Sequence, residues 1–244
     1  MVLRCFRAEM RKLRGSVVWL VFLAVPLISA IYGTFNYLQN QDVLSESWYS
    51  LFMQHTLFYA MFFFAPMVGV YAGYLWRLEH RGGNWNLLMT APVPRFSVFA
   101  AKGLAALILA LLTQLWVFAL YVLCGKAFAR LPGFPPAEIL LWFLRGACGA
   151  LPVIALQLLL SMVIRSFAAP VLLALVGGVA GMLLCSRDMG LIWPYALMLL
   201  GMNANKSENV LAGGLCGYLL ACAGFTLLFG LLAGAMLRRR DVRA

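Results

Sequence analysis

Leu191-Ile192-Trp193-Pro194-Tyr195-Ala196-Leu197-Met198-Leu199-Leu200-Gly201-Met202 is the stretch on which the architecture turns. It carries no charge, yet it is only about a dozen residues long, where a helical bilayer crossing needs about 20. If it did cross, the residues after it would end outside. Arg238, Arg239, Arg240 and Arg243 would then have to be translocated, whereas basic residues beside a span stay inside. The segment is therefore expected to dip and return, within an outer re-entrant hairpin over residues 186–211.

Outward from that stretch, the chain is apolar almost everywhere. Of its 244 residues, 64% are hydrophobic and 11% charged, with a mean hydropathy of +0.91. A soluble domain carries about 25% charged residues, so lipid is the natural exterior for this surface. Apolar runs at Val17–Tyr37, His55–Trp76, Leu104–Cys124, Leu140–Ile164, Pro170–Cys185 and Ala212–Leu237 predict six spans. Runs this long satisfy their backbone in lipid only as helix, and the alternation of a β-barrel strand is missing. The fold class that follows is an all-α membrane protein, one transmembrane domain over 1–244, with both termini cytoplasmic.

Charge supports this orientation. The inner segments of a six-span topology hold fourteen of the nineteen basic residues. The outer side keeps Lys126, Arg130, Arg145, Arg187 and Lys206, balanced by Asp42, Glu46, Glu138, Asp188 and Glu208. The net charge of +11 therefore belongs to the cytoplasmic face, where anionic lipid attracts it. A nucleic-acid partner is not expected, because the basic residues form no patch with interleaved aromatics. Arg145, the one interior charge of the last three spans, is expected to snorkel to the outer interface.

At the N-terminus, Leu3, Phe6, Met10 and Leu13 recur at helical spacing, with Arg4, Arg7, Arg11 and Arg14 off that stripe. Residues 1–15 are thus expected to form an amphipathic helix in the inner interface. The six cysteines stand singly and read as small packing residues. No metal-ligand cluster, G-x-S-x-G elbow or G-x-x-x-x-G-K-[ST] phosphate loop occurs, so no catalytic, cofactor or metal residues are assigned. Gly177/Gly181 and Gly213/Gly217 have small-xxx-small spacing and are candidates for close helix packing or dimer contacts.

The segment between the second and third spans is the longest cytoplasmic connection. It includes Glu79-His80-Arg81-Gly82-Gly83-Asn84-Trp85-Asn86-Leu87-Leu88-Met89-Thr90-Ala91-Pro92. Asn84 can cap a short helix that Pro92 stops, placing Trp85, Leu88 and Met89 on one face. A helix this short is unstable alone, so an exposed Trp85 would dock into a partner or anchor in the interface.

This run, followed by Arg95 and Lys102, resembles the inner loop of ABC-2 permeases, whose transmembrane domain is of the type V exporter kind. More narrowly it resembles the permeases of lantibiotic-protection and bacitracin-type exporters. The resemblance implies that residues 77–101 are a coupling loop for a separate cytoplasmic ABC ATPase dimer, which binds ATP and Mg; this chain would bind no cofactor. It implies that Glu79 contacts the ATPase or the loop's own basic groups, that Trp85, Leu87 and Leu88 fill an ATPase groove ahead of Pro92, and that Lys102 anchors the third span at the inner interface. A second permease chain, identical or paralogous, and membrane lipids would complete the assembly in the cell membrane. The expected cargo is a cationic antimicrobial peptide. Another amphipathic or lipid-like substrate, a non-transporting sensor or structural subunit, and a lipid-acting enzyme are the alternatives; the last would need more inner acids and histidines than Glu79 and His80.

Overall fold

The computed structural model describes residues 1–80, 84, 85, 90 and 92–239, with the backbone alone at Arg239. Among them, six helices are long and apolar enough to cross a membrane. The chain opens with α1 (Val2–Leu13), then α2 (Val18–Gln39). The second crossing is built from α3 (Trp48–Phe58), a π turn (Tyr59–Phe64) and α4 (Ala65–Arg77). Next come α5 (Arg95–Ala127), α6 (Ala137–Val163) and α7 (Ala168–Cys185). A short α8 (Ala196–Gly201) precedes the last crossing, α9 (Gly214–Arg239). An even number of crossings leaves α1 and the end of α9 at the same, basic end of the bundle.

Two crossings begin earlier than their apolar runs suggest. The second starts at Trp48 because Ser47 caps it, its Oγ accepting from Ser50 N. The π turn ends just before Pro66, which has no N–H for a regular helical bond, and the widened turn takes up that fault. The third starts at Arg95 and runs 33 residues, about 50 Å, which exceeds a hydrocarbon core of about 30 Å.

The central helix is α6, which packs on α4, α5, α8 and α9. Polar side chains inside the bundle pair across helices. Thr34 meets His55 at 3.0 Å, Tyr59 donates to Gln114 at 3.0 Å, and Gln157 donates to Tyr195 at 2.7 Å. Without water to satisfy them, such groups need partners of this kind.

Residues 191–202 do not cross. They form a 3₁₀ turn (Gly190–Ile192) and α8, whose six residues are all buried. Glycines make the room. A β-carbon at Gly177 would lie 2.5 Å from the Tyr195 ring, and one at Gly181 would lie 3.0 Å from Ala196 N. Trp193 Nε1 also donates to the Gly177 carbonyl at 2.9 Å. These two glycines therefore serve contacts within the chain. Gly213 lies in the turn before α9, with φ +70°, and Gly217 faces open space.

Arg145 reaches into the outer connection, and its guanidinium is held there by protein groups. Its Nε donates to the Gly201 carbonyl at the C-terminus of α8, and its Nη2 to Asn209 Oδ1, both at 3.1 Å. A cation at a helix C-terminus satisfies carbonyls that the helix leaves unpaired and complements its dipole.

Candidate functional site

At the basic end, three separate stretches of sequence converge on one ionic cluster. Helix α1 packs along the base of α5, and this brings in Glu9, which is 3% exposed. The turn after α4 supplies Glu79, and the third turn of α5 supplies Lys102. Lys12 Nζ donates to Glu9 Oε1 at 2.9 Å and to Glu79 Oε1. Lys102 Nζ donates to Glu9 Oε2 at 2.9 Å and to Glu79 Oε1 at 3.0 Å. Two acids and two bases thus form a closed ring of four ion pairs with no net charge.

Lys102 is fully buried, and its burial is offset bond by bond. An ammonium has three protons, and here they go to Glu9, Glu79 and the Leu75 carbonyl, the last at 2.7 Å. Its charge also lies 4.9 Å from the centre of the Trp76 ring. Burial pushes the Glu79 carboxyl up, but Lys102 and Lys12 beside it outweigh that and leave it below the usual carboxylate value. For Lys12, burial works downward and the two carboxylates prevail, so its ammonium is raised. Both groups are thereby held charged around neutrality.

Next to Glu79, His80 points the other way. Its Nε2 lies 2.9 Å from the Ser161 carbonyl near the end of α6; a carbonyl can only accept, so Nε2 carries the proton. Its ring stacks on Trp85 at 5.7 Å with 1° between planes, and Trp85 packs on Trp76 at 5.4 Å. Asn84 Nδ2 donates to the Leu78 carbonyl at 3.0 Å, folding the connection back on itself. Further along, Arg95 Nη1 donates to the Leu237 carbonyl of α9 at 2.9 Å.

The residues singled out in the sequence fall as follows. Glu79 and Lys102 meet in the ring, so Glu79 binds basic groups of its own chain, and both lie outside the loop, Lys12 on α1 and Lys102 on α5. Lys102 is two turns inside its helix and buried. Trp85, expected to be exposed, is 6% exposed and closes over Trp76 and His80. Pro92 is exposed, and Leu87 and Leu88 lie outside the described residues. Glu9 and Lys12 were missed as site residues. Their signal was an acid on a helix otherwise rich in arginine, one turn from a lysine, a pattern that reads equally well as a local surface pair.

A bundle of six apolar helices whose basic end is knitted to an interhelical connection describes a multi-pass membrane protein. The family model for "ABC-2 family transporter protein" matches residues 5–181, from α1 through most of α7, and the chain belongs to that family. Comparisons with curated proteins and with solved structures gave no significant match.

Proposed function

We propose that this chain is the permease subunit of an ATP-driven exporter, coupled through residues 77–101 to a separate ABC ATPase that binds ATP and Mg. The observation that carries this reading is the Glu79–His80 pair. Glu79 ties the connection to α1 and α5, and His80 ties it to α6. A push on the connection would therefore act on three helices at once. ATP can favour one permease state only if its partner binds the two states differently, and such a fastening supplies a difference.

Within this reading, Leu87 and Leu88 are the side chains that enter the ATPase groove, while Trp85 is held against Trp76 and His80. Two permease chains in the cell membrane, identical or paralogous, enclose the pathway. The cargo is a lantibiotic or another cationic antimicrobial peptide, which rests on the resemblance of the 79–102 motif to permeases of such exporters.

Coupling is tested by replacing Leu87 and Leu88 with Asp and purifying the complex in mild detergent. Loss of a phosphate-loop ATPase from the complex, with the permease still monodisperse, is the expected result; an undiminished, active complex would overturn it. The cargo is tested by expressing the assembled complex and measuring growth against a lantibiotic panel. Protection against at least one peptide is expected, and no shift for any would remove the peptide reading while leaving the coupling intact.

A further inference from the structure

A second feature of the basic end lies across His80 from the ionic ring. A cavity of about 530 Å³ opens between the end of α4, the end of α6 and the start of α7. It is lined by Gly73, Arg77, His80, Ser161, Arg165 and Phe167, among others, and no acid is among its described lining residues. At its rim, Arg77 and Arg165 are exposed. Arg77 is steadied over the Phe167 ring, its guanidinium carbon 5.4 Å from the centroid. The N-terminus of α7 enters the lining at Ala168, and backbone N–H groups there favour an anion.

The floor supplies an independent sign of a ligand. Ser161 is 2% exposed, and its hydroxyl has no hydrogen-bond partner among the described residues. A buried hydroxyl left unsatisfied is unfavourable, and the space beside it is open because residue 73 is glycine. A β-carbon at Gly73 would lie 3.8 Å from Ser161 Oγ and 3.2 Å from the Phe167 ring. Two guanidinium groups, a helix N-terminus and a free hydroxyl donor match the several oxygens of a phosphate.

We propose that this cavity binds the phosphate of an anionic phospholipid headgroup. The phosphate is the chemistry recognised. The lipid is its favoured source because the cavity opens where three crossings end, at the level of the headgroups on the basic side. Arg77 and Arg165 hold the phosphate from the rim, and Ser161 Oγ donates from below. The acyl chains leave toward the lipid-facing side of α7. The site is separate from ATPase docking and does not depend on it.

The test uses the full chain purified in mild detergent. It is titrated with phosphatidylglycerol, phosphatidylcholine and inorganic phosphate, while lipid retained per chain is read by native mass spectrometry and the melting temperature is followed. Phosphatidylglycerol should be retained and should raise the melting temperature, with phosphatidylcholine and inorganic phosphate ineffective. Arg77→Gln with Arg165→Gln should weaken retention by about tenfold or more, the effect expected for losing charge-assisted bonds. Ser166→Glu adds a carboxylate at an exposed rim position and should do the same without touching the core. Equal retention of both lipids, or undiminished retention in both folded variants, would overturn the proposal. Inorganic phosphate stabilising the chain as well as phosphatidylglycerol would overturn the lipid source.

Discussion

Lys102 has three protons, and each has a buried acceptor; removing that ammonium leaves Glu9 and Glu79 facing each other with Lys12 as their only cation among the described residues. Taking one partner from a buried ion cluster costs about 3 kcal/mol or more. Lys102→Met should therefore lower the melting temperature of the purified chain markedly, and Glu79→Gln added to Lys102→Gln should recover part of the loss by restoring neutrality. The pH dependence follows from the two shifted groups. Glu79 is lowered from 4.5, so its contribution is present above pH 4.5 and is lost as pH falls through its folded value. Lys12 is raised from 10.5, so its contribution is present below pH 10.5 and is lost as pH rises through its folded value. Thermal unfolding of the wild type should be flat with respect to this cluster between those limits and should weaken beyond each.

At the scale of elements, α8 depends on glycines of its neighbours. Gly177→Val would force a branched side chain into the Tyr195 ring and should cost about 1–3 kcal/mol, the range for overpacking. Gly217→Ala meets nothing within 4 Å and should leave thermal unfolding of the monomer unharmed, even slightly improved, because alanine favours helix. The small-xxx-small pairs look alike in sequence and differ in use. Spacing says that a backbone can be approached closely; it does not say whether Tyr195, a turn or open space does the approaching.

For the whole molecule, six crossings put the basic end on one side and residues 40–47 on the other. Val43 is 87% exposed in that opposite connection. In a cysteine-free background, Val43→Cys should react with an impermeant maleimide in intact cells, whereas a cysteine appended after Ala244 should react only once the membrane is opened. Labelling of both from outside would contradict the six-span topology. The number of crossings was legible because hydropathy acts along the chain. The first turns of α5 were less so, since Arg95 and Lys102 read as flanking charges and proved to be parts of the helix.

Composition, run length and the placement of arginines determined that this protein is a helical membrane bundle and that residues 191–202 do not cross. These are transfer properties, set by how each stretch partitions between water and lipid, and a stretch carries them whatever it packs against. The tertiary structure decided what the polar minority does. Glu9, Lys12, Glu79 and Lys102 come from three distant stretches, and only the packing of α1 along α5 closes them into a ring. Trp85 could be read from sequence as an exposed docking residue, but stacking on His80 and Trp76 buries it. Whether a charge meets water, lipid or an opposite charge depends on partners far along the chain, and those distances exist only once the helices have assembled.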